Sequence, residues 1–83
     1  MGRSIYSPQN ERLVAWLKKC REDAGLSMRV LSERLDRPHS YVGKVEQQER
    51  RLDVVEYVAY CEALGVSAEA GLKIIADAPI GKS

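Results

Sequence analysis

Apolar residues recur along this chain at spacings of three and four, the period of helices with one buried face. The first such row is Leu13, Trp16, Leu17, Cys20 and Ala24. Ser7 precedes it as an N-cap, and Pro8 takes the first helical position, where a missing N–H costs nothing. Gly25 ends this helix, because glycine accepts the left-handed conformation. A second helix opens at Ser27, with Leu26 and Leu31 spaced as a hydrophobic staple. It is expected to bury Val30, Leu31 and Leu35. Asp36-Arg37-Pro38 breaks it, since the residue before a proline avoids the α region. A third helix is expected from Pro38 to about Gln47, with Tyr41, Val42 and Val45 inward. His39, Ser40, Gly43, Lys44 and Gln47 then share its outer face.

The fourth helix has the strongest start signal. Asp53 caps it, Glu56 completes a capping box, and Leu52 is placed to staple Tyr57. Val54, Val58, Cys61 and Leu64 form its expected buried row, and Gly65 closes it. A fifth helix follows Ser67, buries Leu72, Ile75 and Ala76, and stops before Pro79. No segment alternates as a strand does. The fold class is therefore all-α: five short helices in one compact domain over residues 1–83, with an ordered core of about 8–78. Residues 1–6 and 79–83 are expected to be loose ends.

Composition narrows the function. Eighty-three residues, 45% of them hydrophobic, support one core and leave little for an enzyme's cleft. Seven serines and two cysteines have a single histidine, His39, on an exposed stripe, so no nucleophile–base arrangement emerges. His39 also lacks partners at metal spacing, so no metal or cofactor is expected. No apolar run reaches membrane-spanning length, and Met1–Tyr6 lacks the apolar core of a secretion signal. Tyr6 stands where a myristoylation motif starting at Gly2 wants Ser or Thr. The expected location is the cytoplasm. Cys20 and Cys61 belong to no CxxC pair and read as small core residues, with a redox pair as the other reading.

The net charge of +1 hides an asymmetry. Residues 1–27 hold five Lys and Arg against three Asp and Glu, residues 28–51 hold six against four, and residues 52–83 hold two against five. The first two thirds suit a polyanion and the last third does not, although a solvated surface of mixed sign gives the same arithmetic.

The tight connection between the second and third helices sets them at a large angle, a helix-turn-helix over about residues 27–47. Specific residues then sharpen this. Gly25-Leu26-Ser27, Leu31-Ser32-Glu33-Arg34-Leu35, Ser40-Tyr41-Val42-Gly43-Lys44-Val45-Glu46 and Leu64-Gly65-Val66 recur at family spacing. With Arg37-Pro38-His39-Ser40 and the run Glu49–Glu56, the chain resembles the lambda-repressor-like, Cro/XRE-type helix-turn-helix family, from about Leu13 to Ile75. It looks most like its small single-domain bacterial regulators.

The resemblance implies a DNA-binding transcriptional regulator. It assigns His39, Ser40 and Lys44 to base edges in the major groove. Gln47, Arg50 and Arg51 go to phosphates, and Ser27 and Met28 to the opposite strand's backbone. It also implies an ion pair between Arg21 and Glu46. The chemistry agrees: Lys44 donates to guanine O6 and N7, and His39 and Ser40 donate or accept at several base edges. Arg37, Arg50 and Arg51 suit phosphate contacts that give register and salt-dependent affinity. Gly43 either lets the backbone approach DNA closely or is a neutral change on an exposed face. Three residues depart from the family pattern. Met28 replaces a usual glutamine, and Asp36 and Gln48 stand where glycine is common.

The expected partners are double-stranded DNA and a second copy of the chain. The dimer, acting as a repressor on a palindromic operator, would form through Ala70, Leu72, Ile74, Ile75 and Ala78 of the acidic C-terminal region. The alternative is a protein-interaction module on the same fold, such as an antitoxin or anti-regulator. No ligand pocket for a small-molecule effector is evident.

Overall fold

The computed structural model describes residues 7–77, which form α1 (Pro8–Asp23), α2 (Met28–Arg34), α3 (Tyr41–Glu46), α4 (Val54–Leu64) and α5 (Ala68–Asp77). The expected stop before Pro79, Ala78 and both loose ends lie outside the described residues. Three starts follow the sequence signals. Ser7 Oγ accepts from the Asn10 N–H, Ser27 Oγ accepts from the Val30 N–H, and Asp53 and Glu56 complete a reciprocal capping box.

Four helix ends share one closure. After α1, the Leu26 N–H donates to the Arg21 carbonyl and the Gly25 N–H to Glu22. The same pair of bonds recurs after α2 through Asp36 and Arg37, after α3 through Gln48 and Glu49, and after α4 through Gly65 and Val66. The closure needs a positive φ, found at Gly25 (74°), Asp36 (59°), Gln48 (60°) and Gly65 (75°). Two of these are L-residues carrying a conformation that glycine adopts freely.

The core joins Leu13 and Leu17 of α1, Leu31 of α2, Tyr41, Val42 and Val45 of α3, and Tyr57, Tyr60, Cys61 and Leu64 of α4. α1 packs along α5, and α2 against α3. Several expected faces are corrected. In α4, Val54 is 77% exposed and Val58 is exposed too, while Tyr57 and Tyr60 point inward. Both rows have helical spacing; packing selects the aromatic one, because Tyr60 meets Tyr41 and the Tyr57 hydroxyl reaches the Ala68 carbonyl at 2.5 Å. In α5, Leu72 is 52% exposed, Ala76 is exposed and Ile75 is partly buried. The buried residue there is Gly71, since α5 approaches Trp16 and Tyr57 too closely for a larger one. Val30 and Ala24 are exposed, and Val14 is buried instead. Cys61 is buried and Cys20 partly so, both as free thiols.

Candidate nucleic-acid interface

α3 begins at Tyr41, three residues later than expected. Pro38, His39 and Ser40 form a turn in which the Tyr41 N–H donates to the Pro38 carbonyl at 2.9 Å. Ser40 is the N-cap residue of α3, yet its own side chain makes no cap hydrogen bond. Ser32, fully buried in α2, does this instead: its hydroxyl accepts from the Val42 N–H at 3.1 Å and donates to the His39 carbonyl at 3.3 Å. One side chain thereby satisfies an orphan amide of α3 and holds the turn before it. Sequence reasoning missed this role, although a serine in the middle of a short helix beside Leu31 was a signal.

A second strut crosses from α1. Arg21 Nε donates to Glu46 Oε2 at 2.6 Å and its Nη2 to Oε1 at 3.2 Å, while Nη1 donates to the Leu26 carbonyl at 2.8 Å. The side chains are 11% and 6% exposed. The bond to Glu46 raises the Arg21 pKa above its ordinary value. α3 is therefore fixed from behind by Val42 and Val45 in the core, by Ser32 at its start and by Arg21 at its end.

His39, Ser40, Lys44 and Gln47 are exposed on the opposite side, with Gly43 partly covered between them. A Cβ added at Gly43 would meet the Met28 sulfur at 3.9 Å, an ordinary contact, so packing within the protein does not require glycine there. His39 Nε2 lies 3.0 Å from Glu33 Oε2, and Arg29 Nε is 3.5 Å from the same carboxylate. Met28 is exposed at the start of α2, beside Ser27.

Basic residues bracket α3. Arg37 precedes it and Arg50 follows it, and each guanidinium carbon stands 5.1 Å from the Tyr41 ring centroid. Both reach Glu56: Arg50 Nη2 pairs with Oε2, and Arg37 Nη2 lies 3.6 Å from it. Arg51 is exposed beside them. Burial raises the Tyr41 pKa, and the Glu56 charge adds to that, against the two guanidiniums. The sequence placed Glu56 in the capping box but gave no sign that the same carboxylate gathers two distant arginines. No group of His, Cys, Asp and Glu among the described residues could hold a metal ion. No described helix is long and apolar enough to cross a membrane.

Residues 12–71 match the family model of a helix-turn-helix domain. The chain is similar to an XRE-family-like protein from Pseudomonas syringae pv. tomato, with 39% identity, a TM-score of 0.78, and coverage of 86% of this chain and 88% of that one. It is also similar to the clp gene regulator ClgR from Corynebacterium glutamicum, at 28% identity and a TM-score of 0.73 over 82% of this chain and 72% of that one. A second ClgR structure matches at the same identity and TM-score, covering 88% of that chain. No curated protein matches. An all-α fold carrying α2 and α3 as a helix-turn-helix, a family model spanning most of the chain and a 39% identical relative place this chain in the XRE-type helix-turn-helix family.

Proposed function

We propose that this DNA-binding transcription regulator reads a specific sequence with α3 and represses by occupying a palindromic operator as a dimer. One observation carries the reading: α3 buries Tyr41, Val42 and Val45 while His39, Ser40, Lys44 and Gln47 stand exposed together on its other side. A helix held this way fits the major groove with its N-terminal residues at base edges. Lys44, His39 and Ser40 would then read bases, and Gly43 would admit the DNA surface closely. Gln47, Arg37, Arg50 and Arg51 would hold phosphates, as would Ser27 from the start of α2. The Ser27 oxygen accepts the α2 cap bond, which leaves its hydroxyl proton available. Met28 brings a thioether in place of a hydrogen-bond donor, so it would touch DNA only by apolar contact.

One recognition helix reads few base pairs, and two placed about 34–36 Å apart by a dimer would read a palindrome. Val54, Val58, Leu72 and Ile75 line an apolar groove between α4 and α5 that supports this dimer. Of the described α5 residues expected from sequence it takes in Leu72 and Ile75 but not Ala70 or Ile74, and it draws on α4 as well.

The test is binding to random duplex DNA across salt, followed by selection of sites from a random pool. Affinity should fall steeply as salt rises, and Lys44→Ala should relax preference among the selected sequences. A selected site without two-fold symmetry, or sedimentation as a monomer at high micromolar concentration, would remove the dimer. Retention of a partner protein with no retention of duplex would favour an antitoxin or anti-regulator instead.

A further inference from the structure

Arg37 and Arg50 lie 13 positions apart in the chain, on either side of α3, yet they converge on one ring and one carboxylate. The ring is packed on its inner side: Tyr41 is 7% exposed and meets Tyr60 at 6.5 Å between centroids. The carboxylate is tied as well. Glu56 Oε1 accepts the Asp53 N–H at 3.0 Å, while its own N–H donates to Asp53 Oδ1 at 2.7 Å, so the start of α4 fixes it. Its side chain is 13% exposed, whereas those of Arg37 and Arg50 are 43% and 37% exposed. Each guanidinium has five N–H donors, and Glu56 occupies only part of that set. Two guanidiniums and one carboxylate leave a single positive charge, which matches one phosphodiester.

We infer that Glu56 is a positioning residue: it holds Arg37 and Arg50 over Tyr41 so that both grip the same backbone phosphate. This rests on the reading that α3 enters duplex DNA. A flexible arginine loses rotamer freedom when it binds, and prior restraint of two of them removes that cost. The restraint works against a direct effect of opposite sign, because a carboxylate near the contact repels phosphate.

The opposed signs make the test. Glu56→Gln removes the negative charge but keeps a capping-box side chain, so the start of α4 is retained. If charge alone matters, the variant binds random duplex more tightly than the parent at every salt concentration. If Glu56 positions the arginines, it binds about tenfold more weakly at equal salt, with an unchanged thermal midpoint. Tighter or equal binding would overturn the inference. Should Glu56→Gln unfold the protein, Arg37→Ala and Arg50→Ala decide alone. Sharing one phosphate predicts that the double variant lowers the salt slope by about 0.9 in total, and that either single variant, which leaves the other arginine on that phosphate, lowers it by less. Independent contacts predict about 0.9 for each single variant and about twice that for the double, and that outcome would overturn the inference. A parent protein with no affinity for duplex at low salt would instead remove the reading beneath it.

Discussion

Ser32 Oγ accepts the Val42 N–H, so the start of the candidate recognition helix is capped from another helix rather than from its own chain neighbour. The serine is fully buried, and its loss would strand an amide and the His39 carbonyl away from water. Ser32→Ala should cost about 1–3 kcal/mol, more than an exposed cap position would. Hydrogen exchange at Val42 should speed up more than exchange in α4. Equal protection of Val42 in the parent and in Ser32→Ala would show that the bond carries no weight.

The Arg21–Glu46 pair predicts a different pattern. It is almost dry, and three guanidinium nitrogens are used, two on Glu46 and one on the Leu26 carbonyl. Arg21→Ala leaves Glu46 buried without its cation and should cost about 3–5 kcal/mol. Arg21→Lys keeps the charge but cannot make the forked contact, so it should recover less than half of the loss. Chemical denaturation of the two variants measures both, and full rescue by lysine would show that charge, not fork geometry, is what matters.

Gly71 reverses the usual expectation for a helical glycine. Replacement by alanine in an exposed helix interior gains roughly 0.5–1 kcal/mol. Here an added Cβ would run into the Tyr57 hydroxyl and lie 2.7 Å from Trp16 Cζ3. The hydroxyl is tied to the Ala68 carbonyl and cannot easily withdraw. Gly71→Ala should therefore destabilise by about 1–3 kcal/mol, through overpacking. The same change made in a Tyr57→Phe background, with the hydroxyl gone, should cost distinctly less. Equal costs in both backgrounds would place the clash elsewhere.

These residues also mark how far the sequence could be read. The caps at Ser7, Ser27 and Asp53 are local chemistry, decided within three or four residues, and the structure carries all three. Helical period located the elements, but in α4 the Val54 row and the Tyr57 row fit the same period. Only the neighbours of α4 choose between them. Gly71 has no local signal at all, since its reason lies on α1 and α4. The convergence of Arg37 and Arg50 on Glu56 is likewise tertiary, and no spacing announces it. Among the candidate interface residues, the polar stripe of α3 was visible because periodicity separates it from Val42 and Val45. The struts that hold it in place were visible only in part.

Gln48 sits at φ 60° in the closure after α3, where Gly25 and Gly65 serve α1 and α4. Its side-chain oxygen accepts from Asn10 Nδ2 at 3.4 Å, a long bond that offsets little of the backbone cost. A left-handed L-residue carries roughly 1–2 kcal/mol of strain, and glycine adds unfolded-state entropy of somewhat less. Gln48→Gly should thus stabilise the protein by roughly 0.5 kcal/mol, read as a higher denaturant midpoint with an unchanged m-value. A drop of more than 1 kcal/mol would mean that the contact with Asn10 outweighs the strain.

Tyr60 joins stability to pH. Its hydroxyl is fully buried and, among the described residues, has no hydrogen-bond partner. Burial raises its pKa first, and the Glu46 charge raises it further, with Arg21 opposing; burial raises that of Tyr57 as well. A phenol with a raised folded-state pKa keeps its proton where the unfolded chain would release it. Stability from this source is complete below the unfolded value near pH 10 and is lost as pH climbs past it. Cys61, raised in the same way, adds to the loss from pH 9 upward. Stability should therefore hold through neutral pH and fall on the alkaline side, with the part of the tyrosinate absorbance that Tyr60→Phe removes rising together with loss of helical signal. Tyr60→Phe removes both an unsatisfied hydroxyl and a titrating group. It should be neutral or stabilising by up to about 1 kcal/mol at pH 7, and its alkaline unfolding should move to higher pH. A destabilised Tyr60→Phe, or a tyrosinate signal that forms well before helix loss and disappears in Tyr60→Phe, would show that the hydroxyl is solvated or bonded in the folded protein.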